Sequence, residues 1–357
     1  MPVYLSALGT ALPPYRYAQQ EIEAFMAAQG GLGPAVRRLL HAVYSQSGVE
    51  ARHSVLPDFA ATDEAWLFAA GVTPTLGPRM RLYDRLAPGL VLGAAQAALA
   101  ATEPSSVTHL ITFSCTGMAA PGIDLQLQQA LGLRPSLART CINFMGCYAG
   151  VTALRQAALT VQADPRAVVL VAGVELCTLH FLTGESRDQL VANALFADGA
   201  AAAVVSATAP APGAGFELMG FHSAVAPQTE GHMAWQVGDH VFEIQLSSYV
   251  PKLLESGLAE RVDALRVAVG GDGFRHYAIH PGGRGILEAA QVALGLSADD
   301  LACSYQILSE VGNLSSVTAL FVLQRMLARG QVSAGEGVLV CAFGPGLTLE
   351  SAALRGV

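Results

Sequence analysis

Asn143-Phe144-Met145-Gly146-Cys147-Tyr148-Ala149-Gly150 runs directly into Val151-Thr152-Ala153-Leu154-Arg155-Gln156-Ala157-Ala158-Leu159. A cysteine stands behind a glycine, where an amphipathic helix begins. A thiolate at a helix N-terminus faces the positive end of the backbone dipole, which lowers its pKa and favours the nucleophilic form. The same pattern also suits a small buried apolar residue, which is what most free cysteines are. A second stretch bears on the choice. Gly312-Asn313-Leu314-Ser315-Ser316-Val317-Thr318-Ala319-Leu320 is identical to residues 146–154 at five of nine positions, without a gap. Gly146 answers to Gly312, the run Val151–Leu154 to Val317–Leu320, and Cys147 to Asn313. The match points to a duplicated half. A pseudo-dyad would then bring two helix N-termini together, one with a thiol and one with an amide.

Working outward, buried strands alternate with helical segments in both halves, which predicts an α/β fold. Strand signal lies at the N-terminus through Gly9, at His109–Phe113, around Cys141, at Ala167–Val171 and at Ala201–Val205. It resumes at Phe216–Phe221, Tyr277–His280 and Val338–Phe343. Helical spacing predicts two helices within 17–47, separated by Gly30-Gly31-Leu32-Gly33-Pro34, and others at Leu86–Ala101, Leu125–Leu131, Leu246–Ser256, 284–294 and 314–329. Residues 57–80 read as loop with a short helix. Residues 207–215 carry four alanines, two prolines and two glycines, the composition of a seam. We therefore expect halves at 1–210 and 211–357.

Composition bounds the function. The 357 residues are 52% apolar and only 13% charged, with mean hydropathy +0.42, so much surface must be buried in layers or at an interface. No apolar run approaches the roughly 20 residues of a membrane span. Net charge is −8, against a nucleic-acid binder, which needs a basic face. The N-terminus lacks a basic region and a long apolar core, so we expect a first strand and no signal peptide. The six cysteines have neither CxxC nor metal-ligand spacing, which fits reduced thiols in the cytoplasm and no metal.

His280 ends a strand and is followed by Pro281-Gly282-Gly283. A lone histidine there suits the core as well as a site. With Cys147 and Asn313, each at the end of an element, it completes a chemical set. The thiolate is a nucleophile and the imidazole can hold the complementary charge. An imidazole N–H and an amide N–H can both donate to one developing oxyanion, such as the enolate left when a malonyl thioester loses carbon dioxide.

These motifs resemble the type III polyketide synthases, the chalcone synthase-like enzymes, over nearly the whole chain. Gly146-Cys147 is similar to the family's nucleophile turn, His280–Gly283 to its histidine motif and Gly312–Ser316 to its asparagine motif. Gly344-Pro345-Gly346-Leu347-Thr348 is similar to its C-terminal glycine loop. Ala194–Ala200 is similar to the segment with the gatekeeper phenylalanine, here Phe196; the second gatekeeper falls on Phe242. The resemblance implies a thiolase-like fold, two fused halves layered αβαβα, working as a homodimer. It implies catalysis by Cys147, His280 and Asn313, with Phe196, Phe242, Cys115, His180, Glu175, Ser315, Gly344 and Gly346 toward the substrate. Acyl-CoA and malonyl-CoA are the implied substrates, with no further cofactor. The acyl group would load onto Cys147, be extended by decarboxylative condensation, and cyclise to a pyrone, resorcinol or related ring.

Departures from plant relatives matter. Cys115, Cys177 and His180 replace threonines, Ala192 and Ala197 replace glycines, and Ala120 replaces a methionine that reaches the partner's cavity. A bacterial type with an aliphatic starter in an alkyl tunnel is expected, with Ala120, Ala192, Ala197, Cys115 and His180 around one space and Phe196 at its mouth. Arg37, Arg38 and Arg52 are candidates for the coenzyme A phosphates. Three rivals remain: a ketoacyl carrier-protein synthase of the fatty-acid initiating kind, which shares Cys-His-Asn; a papain-like hydrolase; and a non-catalytic thiolase-fold partner. Pro281-Gly282-Gly283 after the histidine speaks against the first, the local sequence around the cysteine against the second, and Cys147 itself against the third.

Overall fold

The computed structural model describes residues 1–29, 32–60, 65–68, 72–182, 184, 186–247, 249–270 and 273–357. Gly30 and Gly31 of the expected break, and parts of 57–80, lie outside the described residues. The first half runs β1 (Tyr4–Ala11), β2 (Tyr15–Ala18), α1 (Gln19–Ala28), α2 (Pro34–Gln46), β3 (Ala51–Ser54), α3 (Leu76–Ala98) and β4 (His109–Ser114). It continues with α4 (Ile123–Ala130), β5 (Ala138–Asn143), α5 (Ala149–Ala163), β6 (Val168–Leu176), α6 (Arg187–Leu195) and β7 (Asp198–Ser206). The second half holds β8 (Phe216–Val225), the hairpin β9 (Met233–Val237) and β10 (Phe242–Leu246), α7 (Val250–Val269), β11 (His276–Ile279) and α8 (Arg284–Leu294). It ends with α9 (Ala302–Val311), α10 (Thr318–Ala328), β12 (Gly337–Gly344) and β13 (Thr348–Gly356).

Nine strands are linked in the order β11-β12-β13-β8-β1-β7-β6-β4-β5. The duplication seen around Cys147 and Asn313 recurs in the pairing. In the first half β4 and β6 are parallel, while β6–β7 and β7–β1 are antiparallel. In the second, β11 and β12 are parallel, while β12–β13 and β13–β8 are antiparallel. The halves meet at β1–β8 through only two register pairs, Tyr4 with Glu217 and Leu5 with Phe216.

Strand side chains alternate between faces, and the apolar clusters follow that alternation into layers. Ala201, Ala203 and Val205 of β7 join a central cluster with α5 and α10, while Ala200, Ala202 and Val204 join an outer one with α3. In β12, Val338, Val340 and Ala342 face the central cluster, and Leu339, Cys341 and Phe343 face a third cluster with α7 and α8. Both sheet halves are thus covered on both faces, the αβαβα order, with α5 and α10 in the middle layer. This is why the chain is so apolar.

Three expectations need correction, and the C-terminal strand was not predicted. Helix α3 begins at Leu76, not Leu86. Gly77 and Pro78 read as breakers, but proline is tolerated in a first turn, whose N–H groups have no helical partner. Leu246 ends strand β10, and the helix expected from it starts at Val250 and runs to Val269. The C-terminal segment after Gly346 forms β13, which pairs along its length with β12 and β8. Cys147 lies before α5, whose N-cap is Tyr148.

Candidate active site

Cys147 is held by a turn that demands glycine. β5 ends at Asn143, Phe144 follows at φ +62°, and Gly146 has φ +99°. A Cβ on Gly146 would collide with the ring of Pro345. The Ala149 N–H donates to the Gly146 carbonyl at 3.0 Å, which closes the turn and starts α5. Cys147 is half-buried. Its thiol donates to Ser315 Oγ over 3.7 Å. Burial pushes the thiol up to about 12; the bond to Ser315 pulls it down and Glu175 adds a smaller push upward.

His280 follows β11 and continues its pairing, donating its backbone N–H to the Cys341 carbonyl at 2.8 Å. The side chain is 1% exposed. Neither Nδ1 nor Nε2 has a hydrogen-bond partner among the described residues. Burial pulls its pKa down to about 3, so in isolation the ring is neutral.

Asn313 occupies the position that Cys147 has in the first half, between Gly312 (φ +79°) and Ser315 (φ +50°). Its Oδ1 accepts from the Ser315 N–H at 2.8 Å and from Thr318 Oγ1 at 3.4 Å, while Nδ2 donates to the Gly282 carbonyl at 3.2 Å. This network sets the amide orientation and leaves one N–H uncommitted. The backbone of Asn313 brackets Phe196, accepting from Ala197 N–H and donating to the Leu195 carbonyl, both at 2.9 Å.

One cavity of about 430 Å³ gathers these groups: Cys147, His280 and Asn313 all line it. Of the residues expected toward the substrate, Phe196, Phe242, Cys115, His180 and Ser315 also line it. Glu175, Gly344 and Gly346 do not. Glu175 is fully buried behind the wall, accepting from Cys115 N–H, Thr116 Oγ1 and Ser316 Oγ. Burial raises its pKa, against the pull of these donors. Gly344 packs under Tyr148 beside the Cys147 backbone, and Gly346 takes a left-handed turn at φ +69°. Pro345, between them, is the residue of that loop that reaches the cavity. Of the three alanines, Ala192 lines the space, Ala197 is buried behind it, and Ala120 is exposed on the chain's surface.

Arg52 is a second correction. It is fully buried, and its guanidinium donates to the carbonyls of Asn193 at 2.6 Å and Phe196 at 2.7 Å. It braces the segment bearing Phe196 and is closed to a phosphate. The arginines that do line the cavity are Arg187, at the start of α6, and Arg284, at the start of α8. Sequence reasoning also passed over Trp235, which lines the cavity and donates from Nε1 to the Cys115 carbonyl at 2.8 Å. The available signal was the period-two run Phe242-Glu243-Ile244-Gln245-Leu246 after Gly238-Asp239, which reads as a hairpin. Among the described residues no group of three or more His, Cys, Asp or Glu forms a metal site, and no helix is long and apolar enough to cross a membrane.

Residues 2–209 match the chalcone and stilbene synthases, N-terminal domain, and residues 217–357 the corresponding C-terminal domain. Bisdemethoxycurcumin synthase of Oryza sativa subsp. japonica is 30% identical over 377 residues, covering 98% of this chain and 91% of that protein. Probable polyketide synthase 1 of Dictyostelium discoideum is 27% identical over 365 residues; the match takes in 99% of this chain, which spans only 11% of that relative's length. The crystal structure of the C-terminal type III polyketide synthase domain of Steely1, a type I/III hybrid from Dictyostelium, superposes with TM-score 0.91 at 26% identity, covering 100% of both chains.

Proposed function

This chain belongs to the chalcone and stilbene synthase family of type III polyketide synthases, and from that premise we propose that it builds a polyketide on Cys147 from acyl-CoA and malonyl-CoA. The Cys147 thiolate attacks the starter's thioester carbonyl, the C–S bond to coenzyme A breaks, and coenzyme A leaves as its thiol with the proton held by the His280 imidazolium. Malonyl-CoA then loses carbon dioxide. The electron pair of the broken C–C bond becomes an enolate, whose oxygen accepts from an imidazole N–H of His280 and the free amide N–H of Asn313. The enolate carbon attacks the acyl group on Cys147. The new C–C bond forms as the C–S bond breaks, leaving a lengthened chain on coenzyme A and Cys147 free to reload.

The observation that carries this reading is the pair of unpartnered nitrogens on fully buried His280, in the same cavity as Cys147 and Asn313. A buried ring left without partners is costly unless a ligand completes it. The apolar lining residues Val191, Met233, Ile244, Leu246, Val250 and Ile286 favour an aliphatic acyl group. Arg187 and Arg284 are the cations best disposed to face its coenzyme A phosphates. The exposed edge strand β5 supports association with a second copy, as a homodimer. Coenzyme A thioesters fit a cytoplasmic enzyme. The test is incubation with malonyl-CoA and a panel of acyl-CoA starters, with products identified by mass. Products extended in two-carbon units support the reading; hydrolysis of the starter alone would overturn it.

A further inference from the structure

Arg52 touches no reacting atom, yet it lies at the junction of two functional segments. Helix α6 ends with four carbonyls, 193 to 196, beyond the reach of its own N–H groups. Each takes a donor from another element. Arg52 Nη1, from β3, donates to Asn193 at 2.6 Å and to Phe196 at 2.7 Å. Gln19 Nε2, from α1, donates to Ala194 at 2.8 Å, and the Asn313 N–H donates to Leu195 at 2.9 Å. The Phe196 carbonyl shares its peptide unit with the Ala197 N–H, which donates to the Asn313 carbonyl at 2.9 Å. That unit is planar, so a bond that fixes its C=O also fixes its N–H. The arginine stem closes the other side: a Cβ added to Gly312 would lie 3.0 Å from Arg52 Cγ and 3.1 Å from Cδ. Arg52 therefore touches both sides of the short parallel bridge between Phe196 and Asn313.

A guanidinium in this place is costly. It is fully buried, and its Nε and Nη2 have no hydrogen-bond partner among the described residues. Burial lowers its pKa, against the pull of Tyr44 and Asp198. The rings of Tyr44 and Phe181 lie 5.8 and 5.4 Å from its Cζ. An apolar side chain would avoid the desolvation but leave two buried carbonyls bare. A lysine would keep the charge, but its ammonium ends one bond short of Nη1. The amide of Asn313 is oriented by Ser315, Thr318 and Gly282, while both of its backbone hydrogen bonds go to this bridge.

Building on the activity proposed above, we propose that Arg52 is a positioning residue for the decarboxylation step: it holds the Phe196–Asn313 bridge in register and thereby sets where the Asn313 amide meets the enolate. The test compares two half-reactions, release of carbon dioxide from malonyl-CoA and loading of Cys147 by an acyl-CoA, the second read by intact mass. Arg52→Met should lower the maximal rate of carbon dioxide release by about ten- to a hundredfold. KM for malonyl-CoA and the loading rate should change by less than about threefold. Placed on Asn313→Ala, the same substitution should cost no more than about twofold, because the amide it acts through is already gone. Equal loss in both half-reactions would reduce Arg52 to a structural brace, and a raised KM at an unchanged maximal rate would return it to the coenzyme A phosphates. Full additivity with Asn313→Ala would also overturn the proposal. So would the same split in Gln19→Met, which unties Ala194 alone, since any loosening of the helix end would then suffice. If Arg52→Met does not fold, Arg52→Lys takes its place, and a wild-type rate of carbon dioxide release in that protein refutes the positioning role. A wild type that releases no carbon dioxide overturns the activity reading instead. The bridge is then decided by hydrogen exchange of the Ala197 and Asn313 amides, which should quicken about tenfold in the Arg52 variant; unchanged protection there overturns it.

Discussion

Replacing His280 by alanine should suppress the reactivity of Cys147, by an amount that follows from burial. The half-buried thiol is pushed up to about 12 when nothing nearby takes its proton. Two features oppose that push in the wild type. The N-terminus of α5 favours a negative charge, and His280 can hold the proton as an imidazolium. Burial opposes each charge singly, so each needs the other. In His280→Ala the thiol is left with the helix alone. At pH 8 a thiol of pKa about 12 is ionised to about one part in ten thousand, against about a quarter for a cysteine near pKa 8.5. That is a loss of more than three orders of magnitude in thiolate. The more basic thiolate is intrinsically more nucleophilic, with a Brønsted slope of about 0.4–0.5, which returns roughly one and a half orders. The net expectation is a rate lower by about fiftyfold. The assay is carbamidomethylation by iodoacetamide across pH, followed on the Cys147 peptide by mass so that exposed Cys141 does not interfere. The rate rises with pH through the thiol's pKa, so the wild-type midpoint should lie at or below the ordinary range and the variant's well above it. Stability is a weak objection, because the imidazole has no hydrogen-bond partner to orphan. Equal midpoints in the two proteins would refute the pairing, and so would a wild-type midpoint above about 10.

Further outcomes follow from the same geometry. Cys147→Ala should abolish chain extension while decarboxylation of malonyl-CoA persists, since His280 and Asn313 stabilise the enolate; extension products from this variant would exclude Cys147 as the carrier. Asn313→Ala should slow decarboxylation more than acyl loading, and equal loss in both half-reactions would contradict that division. Arg187→Ala with Arg284→Ala should raise KM for malonyl-CoA about tenfold and leave KM unchanged for a phosphate-free N-acetylcysteamine thioester; a rise for both would place the arginines elsewhere in the mechanism. Gly146→Ala should remove activity and lower the melting temperature together, because φ is +99° and the added methyl meets Pro345; an active variant of wild-type stability would show that the turn can relax.

Much of the fold was legible because strands buried on both faces and helices of even spacing leave strong local patterns. Cys147 and Asn313 were legible because each follows a glycine in the left-handed region, Gly146 at φ +99° and Gly312 at φ +79°, and His280 because it ends a strand at a Pro-Gly-Gly run. Elsewhere the pattern was ambiguous or the contact was long-range. Leu246, Val250, Leu253 and Leu254 keep helical spacing, so the end of β10 was absorbed into α7. The use of Trp235 depends on a backbone carbonyl 120 residues away, which no local pattern encodes. Arg52 looked like a surface cation because arginine usually is one; only the fold reveals that its charge is spent on the carbonyls of Asn193 and Phe196. Glu175 was assigned to the cavity by resemblance, yet its carboxylate is taken up behind the wall by donors from Ser114, Cys115, Thr116 and Ser316.

The duplication explains why those assignments fail where they do. Both halves place a residue just before a central helix, α5 or α10, and both helices lie in the middle layer between the sheets. The pseudo-dyad relates Cys147 to Asn313, so the nucleophile and one oxyanion donor are brought together by the symmetry of the scaffold. That part of the site could be read from nine aligned residues. His280 breaks the symmetry, since it ends β11, whose counterpart β4 ends at Ser114 and runs into the loop of Cys115 and Thr116. The same loop carries the bonds to Glu175, His180 and Trp235. The chain's departures from the twofold pattern therefore pack against the symmetric pair: Cys115 Sγ accepts from the Gly146 N–H at 3.0 Å, and Glu175 accepts from Ser316 Oγ. On the proposed reading the duplicated frame supplies the thiol and the amide, while the imidazole and the loop after β4 come from where the two halves differ.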